Sequence, residues 1–499
     1  MQGIPLHSLY TCEQTRKIDQ LAIQEGKIPG VVLMKRAGRA AFELIKGRWP
    51  GRRLIVFCGG GNNGGDGYIV AALAKQQHIE VEVFSTVPLD QLSGDALKAK
   101  DFAVQEGVVI QAVADAQLDI ENTVIVDGIL GTGFNGELRD TLRGMCQRIN
   151  HSKSPVVALD IPSGLEGDTG HADSDAIRAE LTITFVGRKR GLFTGRGPAL
   201  CGDIQFEDLG IPAELYQSVS SSIACVNRIQ SIPKREADAH KQDSGHVLVI
   251  GGESGMGGAA ILAAEAALRC GAGLVSLATR PEHVPAILAR IPEVMAKGVN
   301  AGPELEPLIQ KADVIVIGPG LGQSAWSQQL LYFALQSGLP MVVDADALNI
   351  IAQGLLQVET LPNTVITPHP GEAARLLSSN SAFVQADRFA SVTRLQQKFD
   401  CVALLKGAGT LVCDEHTTSI AQVGNAGMAV AGMGDVLSGV IGALLAQGLP
   451  VNDAAINGVC LHGLAGDRAA QGGTIGLRAS DLMPHLRNVL NQALDTARE

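Results

Sequence analysis

Short apolar runs that end in glycine recur along the chain, and most are followed by a stretch with helical spacing of its apolar residues. In the first half RLIVFC (53–58), VEVFS (81–85), NTVIVDGILGTGF (122–134) and PVVALDIPSG (155–164) read as strands, three of them running into Gly-bearing loops. Residues 9–48, 68–77, 90–106 and 136–150 read as helical, while LTITFV (181–186) and DIQFEDLG (203–210) read as late strands. Strand, glycine loop, helix is the start of an α/β unit. After Gly210 the pattern decays into a Ser-rich segment with two Pro, which places a boundary near 222–226. The cycle restarts at HVLVIGGE (246–253), GGESGMGGA (251–259) and a helix of small residues. LVSLAT, DVIVIGPGLG (313–322), PMVVDADALN (340–349) and NTVITPHPGEAARLL (363–377) continue it, and CVALLKGAGTLVCD (401–414) reads as a strand, a turn and a second strand. The expected architecture is α/β in two domains, 1–222 and 223–499.

Composition agrees with this division. At roughly 100–200 residues per domain, 499 residues need two or three cores. Apolar residues make up 46% but aromatics only 4%, so those cores are built from Val, Ile, Leu and Ala. A net charge of −11 and a pI near 5.5 argue against nucleic acid and anionic membranes as partners. The cysteines, at 12, 58, 146, 201, 225, 270, 401, 413 and 460, form no CxxC pair. Structural zinc and a disulfide framework are therefore not expected, and a reducing cytoplasm is. MQGIPLHSLYTCEQ is not a secretory signal, and the apolar run Val436–Ala446 is far short of the ~20 residues of a membrane span.

Two sets of residues carry candidate chemistry. The stretch 424–448, GNAGMAVAGMGDVLSGVIGALLAQG, puts Asp435 among glycines ahead of an apolar helix. Glycines let backbone N–H groups face an anion, and the helix adds the positive end of its dipole. An Asp ionised near neutral pH beside such a hole suits phosphoryl transfer; the bland alternative is a helix cap. In the first half three strand-end loops carry Asn62, Asn63, Asp66, Asp127, Thr132, Asp160 and Ser163. Loops of an open parallel sheet gather at the carboxyl ends of its strands, where ligands bind. GGGNNG matches GxGxxG, but the loop is too polar for an ordinary dinucleotide fingerprint. Taken singly, these are also ordinary turn residues. Carboxylate, amide and hydroxyl oxygens suit a hard cation.

The motifs GGESGMGGA, IGPGLG, VDADALN, TPHPGE, LKGAGT and AGMGDVLSG stand in the order found in the NAD(P)HX dehydratases, a branch of the ribokinase-like fold, which the second half resembles. Through GGGNNGGDG, VDGILGTGF and ALDIPSGL the first half resembles the NAD(P)HX epimerases. Both together resemble the bacterial bifunctional repair proteins, over about residues 10–495. The resemblance implies a Rossmann-like three-layer domain followed by a ribokinase-like one. It implies that the first interconverts R and S forms of hydrated NADH and NADPH, and that the second dehydrates the S form with ADP, releasing AMP and phosphate. Asp435 would be the base, with the 432–434 amides on the moving phosphoryl group. Lys406, Gly407, Ala408, Gly409, Thr410 and Gly434 would meet the nucleotide; Ala259, Gly322, His369 and Asp435 would meet the hydrated coenzyme. In the epimerase half, Asn62, Asn63, Gly64, Gly65, Asp66, Gly131, Thr132, Gly133, Phe134, Asn135, Gly136, Glu137 and Asp160 would line the substrate. Asp160 would do acid/base work with help from Lys189, and Asn63, Asp127 and Ser163 would hold K+. Mg2+ belongs to the dehydratase half, and a homo-oligomer, a tetramer, is the family expectation. The motif is usually AGTGD, and here Met433 replaces Thr, which predicts modestly altered nucleotide handling. A small-molecule kinase sharing the same hole, preceded by a non-catalytic binding domain, is the competing reading.

Overall fold

The computed structural model describes residues 8–113, 116–118, 121–230, 232 and 234–496. The chain divides into two compact units, Met1–Ile223 and Ala224–Glu499.

In the first unit the strands lie in the order Ile110–Ala112, Val81–Ser85, Arg53–Cys58, Thr123–Gly128, Val156–Leu159, Leu181–Phe185, Asp203–Glu207. Every neighbouring pair is parallel. The chain winds outward one way from Arg53–Cys58 and the other way from Thr123–Gly128, so the two loops that follow these strands flank a crevice at their carboxyl ends. The helical stretch expected over 9–48 is two helices, Cys12–Gln24 and Gly30–Arg48. Thr11 and Gln14 close a capping box on the first, and Gly26 and Pro29 interrupt the run between them. The loop expected over 59–67 is shorter than the sequence suggested, because the helix Asn62–Gln76 already starts inside it. Glycine makes this possible. A Cβ on Gly64 would lie 2.0 Å from Gly59 O, and one on Gly59 would lie 1.9 Å from Ile129 O. Only hydrogen at these two positions lets the helix fold back onto the strand exit and the neighbouring loop.

The second unit orders its strands Thr418–Ala421, Thr410–Cys413, Val402–Leu405, Thr364–Ile366, Met341–Val343, Val314–Ile317, His246–Ile250, Leu274–Thr279, Met295–Gly298. The hairpin pairs at the Thr418 edge are antiparallel and the rest parallel. Winding reverses between His246–Ile250 and Val314–Ile317. The units divide between residues 223 and 224, within the 222–226 range expected for the boundary, and the chain there forms a strand, Ile223–Val226. Ile223, Cys225 and Val226 are buried, and Val226 O accepts a hydrogen bond from Gln422 N at 2.8 Å, so an apolar alternation won over the polar surroundings.

The helix Met433–Ala446 is buried along nearly its whole length. A Cβ on Gly439 would stand 2.1 Å from Ala263 O on the helix Gly257–Arg269, and one on Gly442 would stand 2.3 Å from Val316 Cγ2 on a central strand. Each glycine costs about 1 kcal/mol of helix propensity, offset by the close approach it allows. That wedge fixes where the first turn, and Asp435 with it, meets the strand ends. All nine cysteines are buried and none is in a disulfide, and among the described residues no helix is long and apolar enough to cross a membrane.

Candidate active sites

The crevice of the first unit opens into a cavity of about 550 Å³. Gly60–Asn63 and Asp66 line it from one switch-point loop and its helix, Ile129–Phe134 from the other, Asp160 from the next strand end, and Phe185, Val186 and Lys189 from the one after. Thr15, Arg16 and Asp19 contribute from the first helix and Asp95 from the side. Sequence reasoning missed these four. They come from helices whose surface polarity looks ordinary, and only the fold turns them inward.

Asp160 and Lys189 form the centre. Lys189 is 1% exposed, and its ammonium donates to Asp160 Oδ1, to Thr184 Oγ1 at 3.2 Å and to Phe185 O at 2.7 Å. Asp160 Oδ1 accepts further from Thr184 Oγ1 and Phe185 N, both at 3.3 Å. Backbone strain gathers here: Asp160 has φ 63° and the β-branched Val186 φ 67°, a region such residues avoid. Asp66 is buried in the same cavity. Burial, then the charges of Asp160 and Asp19, push its pKa well above the carboxylate range, with Lys189 only partly offsetting them.

Asp127 is fully buried below this cavity. Its Oδ1 accepts from Ser163 Oγ at 2.6 Å and Ile129 N at 3.2 Å, its Oδ2 from Ser163 N at 2.8 Å. Burial nevertheless raises its pKa to about 6. Ser163 Oγ also accepts from Leu130 N, and Leu130 O accepts from Asn63 Nδ2 at 2.8 Å. Asn63 Oδ1 is buried with no hydrogen-bond partner among the described residues. An orphaned amide oxygen linked through one short network to a costly buried carboxylate offers oxygen donors that could hold a hard cation. Several other expected residues lie off the cavity. Gly64 and Gly65 serve helix packing, Gly65 against Met34 Sδ. Asn135, Gly136 and Glu137 are outside the lining: Gly136 N donates to Glu166 Oε1 at 2.8 Å, and the exposed Glu137 carboxylate faces Arg143 at 3.6 Å.

In the second unit the strand ends bring the expected motifs together. Gly432, at φ 89°, turns the chain into the helix that begins at Met433. A Cβ on Gly434 would lie 3.1 Å from Lys406 Nζ and 3.5 Å from Asp344 Oδ2. Lys406 Nζ donates to Asp344 Oδ1 at 2.8 Å and stands 4.0 Å from Glu372 Oε2. The ammonium is thus held by carboxylates rather than extended along its own loop. Gly407, Ala408 and Gly409 are the open part of that loop, and Thr410 Oγ1 donates back to Gly407 O at 2.9 Å. Beneath it the buried Arg388 donates to Leu405 O at 3.2 Å and Lys406 O at 3.3 Å, a support that sequence reasoning did not find. Burial pushes Asp435 up to about 6; the charge of Asp344 adds to this and Lys406 opposes it. The carboxylate is therefore mostly ionised at pH 7, by a narrower margin than the sequence suggested. Gly322 N donates to Asp346 Oδ2 at 2.9 Å, and Ala259 sits in the first turn of Gly257–Arg269. His369 caps Pro370–Leu376, its Nδ1 accepting from Gly371 N at 3.0 Å, and burial with the nearby Lys406 lowers its pKa.

The comparisons with known proteins show the family. A family described as NAD(P)H-hydrate dehydratase matches residues 247–488, and one described as YjeF-related protein N-terminus matches 30–191. The chain is 45% identical to the bifunctional NAD(P)H-hydrate repair enzyme Nnr of Coxiella burnetii, over 97% of this chain and 99% of that one. It belongs to the bifunctional NAD(P)H-hydrate repair enzymes. The Escherichia coli member of that family is 40% identical, over 97% of this chain and 94% of its own length. Among solved structures, a ribokinase-like superfamily protein from Enterococcus faecalis is 31% identical with a TM-score of 0.50, covering 52% of this chain and 92% of that one. The repair enzyme thus joins a Rossmann-like unit to a ribokinase-like unit, and its activities are epimerisation of hydrated NAD(P)H and its ADP-dependent dehydration.

Proposed function

We propose that the cavity around Asp160 carries the epimerisation and that the cradle before Asp435 carries the dehydration. The observation that supports the second assignment is one carboxylate in the first turn of a buried helix, beside a glycine-lined opening. Asp435 takes the proton of the ring hydroxyl as that oxygen attacks the terminal phosphorus of ADP, and AMP leaves. Phosphate is a far better leaving group than hydroxide. The ring nitrogen expels it, and loss of a proton from the adjacent carbon restores the dihydropyridine. Backbone N–H groups at 432–434 hold the phosphoryl group in flight. Gly407–Thr410 and Gly434 meet the nucleotide, while Ala259, Gly322 and His369 flank the coenzyme.

In the first unit Asn63, Asp127 and Ser163 would hold K+, which supplies the positive charge that Asp127 otherwise lacks and pins the two switch-point loops together. Magnesium would ride on the phosphates of ADP, as that ion keeps several waters and seldom takes an all-protein cage. Two variants of the full chain test the assignment. Asp435→Asn abolishes recovery of reduced-nicotinamide absorbance from the S epimer and ADP but leaves R/S exchange intact; Asp160→Asn does the reverse. A variant that spares both activities rejects its site.

A further inference from the structure

We propose that Asp66 is the proton donor of the epimerisation, working across the cavity from Asp160 as base. The proposal rests on the assignment of that cavity to the hydrated ring. The hydroxyl to be inverted sits on the carbon bonded to the ring nitrogen, so inversion needs one acid and one base on a single small cavity. Asp160 is the carboxylate paired with an ammonium: the buried Lys189 Nζ, a hydroxyl and a backbone N–H all face its Oδ1. Lys189 is not free to be the acid. Its three N–H bonds go to Asp160, Thr184 and Phe185 O, and it is 1% exposed. Asp95 is paired with Lys98 at 2.9 Å.

Asp66 has the opposite surroundings. It is 8% exposed, lines the cavity from the second turn of Asn62–Gln76, and no side chain or backbone N–H among the described residues donates to its carboxyl. The groups that face it are the carboxylates of Asp160 and Asp19 and the thiol of Cys58, against the single charge of Lys189. Such surroundings favour the protonated carboxyl. A carboxyl that favours its proton, across one cavity from a carboxylate paired with a buried ammonium, makes an acid and a base available to the same substrate. Asp66 gives its proton to the ring hydroxyl, the C–O bond breaks, water departs, and the nitrogen lone pair forms an iminium facing Asp160 and Asp19. A water then adds to the opposite face and passes its proton to Asp160. One proton leaves Asp66 and one arrives on Asp160, so no net proton or water is consumed, and exchange with solvent returns the proton from Asp160 to Asp66 before the next turnover in the same direction. In the reverse direction the two exchange roles.

The experiment follows R/S exchange in the full chain without ADP, by separating the epimers, in ordinary and 18O-labelled water. Asp66→Asn keeps the shape but has no acidic proton. We expect exchange to fall about 100-fold or more and KM to move less than about 3-fold; the parent is expected to lose rate at alkaline pH and Asp66→Asn to lack that limb. In the parent each inversion takes up one labelled oxygen. ADP-dependent dehydration and the melting temperature of Asp66→Asn report that the chain is folded, and Asp66→Glu recovers part of the rate. An Asp66→Asn chain that exchanges at the parental rate with the same alkaline limb, or a parent that inverts without taking up label, overturns the proposal. If Asp160→Asn is inactive and Asp66→Asn is not, only the role of Asp66 falls; if Asp160→Asn exchanges normally, the assignment of the cavity falls with it.

Discussion

Asp344 is gripped from both sides: Lys406 Nζ donates to its Oδ1 and Ser438 Oγ to its Oδ2, each at 2.8 Å. One buried carboxylate therefore ties the end of the strand Met341–Val343 and the loop after Leu405 to the helix that carries Asp435. Burial alone would push Asp344 up, but the Lys406 charge and these hydrogen bonds hold it below the usual carboxylate range. Burial pulls Lys406 down, and Asp344 with Glu372 more than restores it.

Replacing Asp344 by Asn leaves the Lys406 charge facing Glu372 and Asp435, without its nearest carboxylate partner. Removing one partner of a buried pair costs on the order of 3 kcal/mol, less here because the lysine is 20% exposed. The electrostatic sign is separate and more telling. Asp344 raises the Asp435 pKa and Lys406 lowers it, so removing the negative charge lowers it. The acid limb of dehydration kcat in Asp344→Asn shifts to lower pH; a limb that stays in place shows that Asp344 does not tune the base.

Asp435 itself is held at a cost. Its pKa stands at about 6 against a reference of 3.8. Because the folded value is the higher, ionisation destabilises the fold. That penalty is fully present above pH 6 and disappears below about pH 4. Asp435→Asn is expected to be more stable than the parent by on the order of 2 kcal/mol at pH 8, with the difference closing as pH falls through 6 toward 4. Urea melts of both chains at pH 8 and pH 4 check this. Equal stability at pH 8 means that the carboxylate is better solvated than its surroundings indicate.

Potassium should act through Asp127 in a pH-dependent way. Burial raises that carboxyl to about 6 against its own reference of 3.8, so the proton displaces a cation from it as pH falls through about 6. Exchanging K+ for tetramethylammonium is expected to lower the melting temperature of the first unit at pH 8 and to have little effect at pH 5. Asp127→Asn should respond to neither ion at either pH. A potassium effect of equal size at both values places the ion elsewhere.

Much of this was legible in the chain because the chemistry sits where strands end. Apolar runs marked Arg53–Cys58, Thr123–Gly128, Val314–Ile317 and Met341–Val343, and a parallel sheet must bring their trailing loops to one edge. Edge strands such as Ile110–Ala112 and Met295–Gly298 escaped notice because they are three and four residues long and half exposed, so no apolar run announces them. Asp19 and Asp95 escaped for a different reason. Each is one of two acids on its helix, with Glu13 and Asp101 respectively, and nothing local separates an acid that faces a cavity from one that faces water. The pairing of Lys406 with Asp344 is likewise a contact across 62 residues. Spacing along the chain carries no information about it.

Met433 shows where a motif comparison and packing part company. With Thr the usual residue, its replacement by Met predicted altered handling of the nucleotide. In the structure the Met433 side chain is 6% exposed and packed into the hydrophobic cluster that includes Val436, Leu437 and Ala479, while its backbone begins the helix beneath the cradle. In the proposed reading the cradle uses the N–H of this residue, which any side chain preserves. Met433→Thr removes apolar volume from a packed site and buries a hydroxyl, a change worth about 1–3 kcal/mol against the fold. For a unit of this size that lowers the melting temperature by roughly 2–4 °C for each kcal/mol lost. ADP affinity, by contrast, is expected to move less than about 3-fold, under 1 kcal/mol. Calorimetric melting and ADP titration of the same variant separate the two outcomes. Tighter ADP binding at unchanged melting temperature would show that residue 433 reaches the nucleotide through its side chain after all.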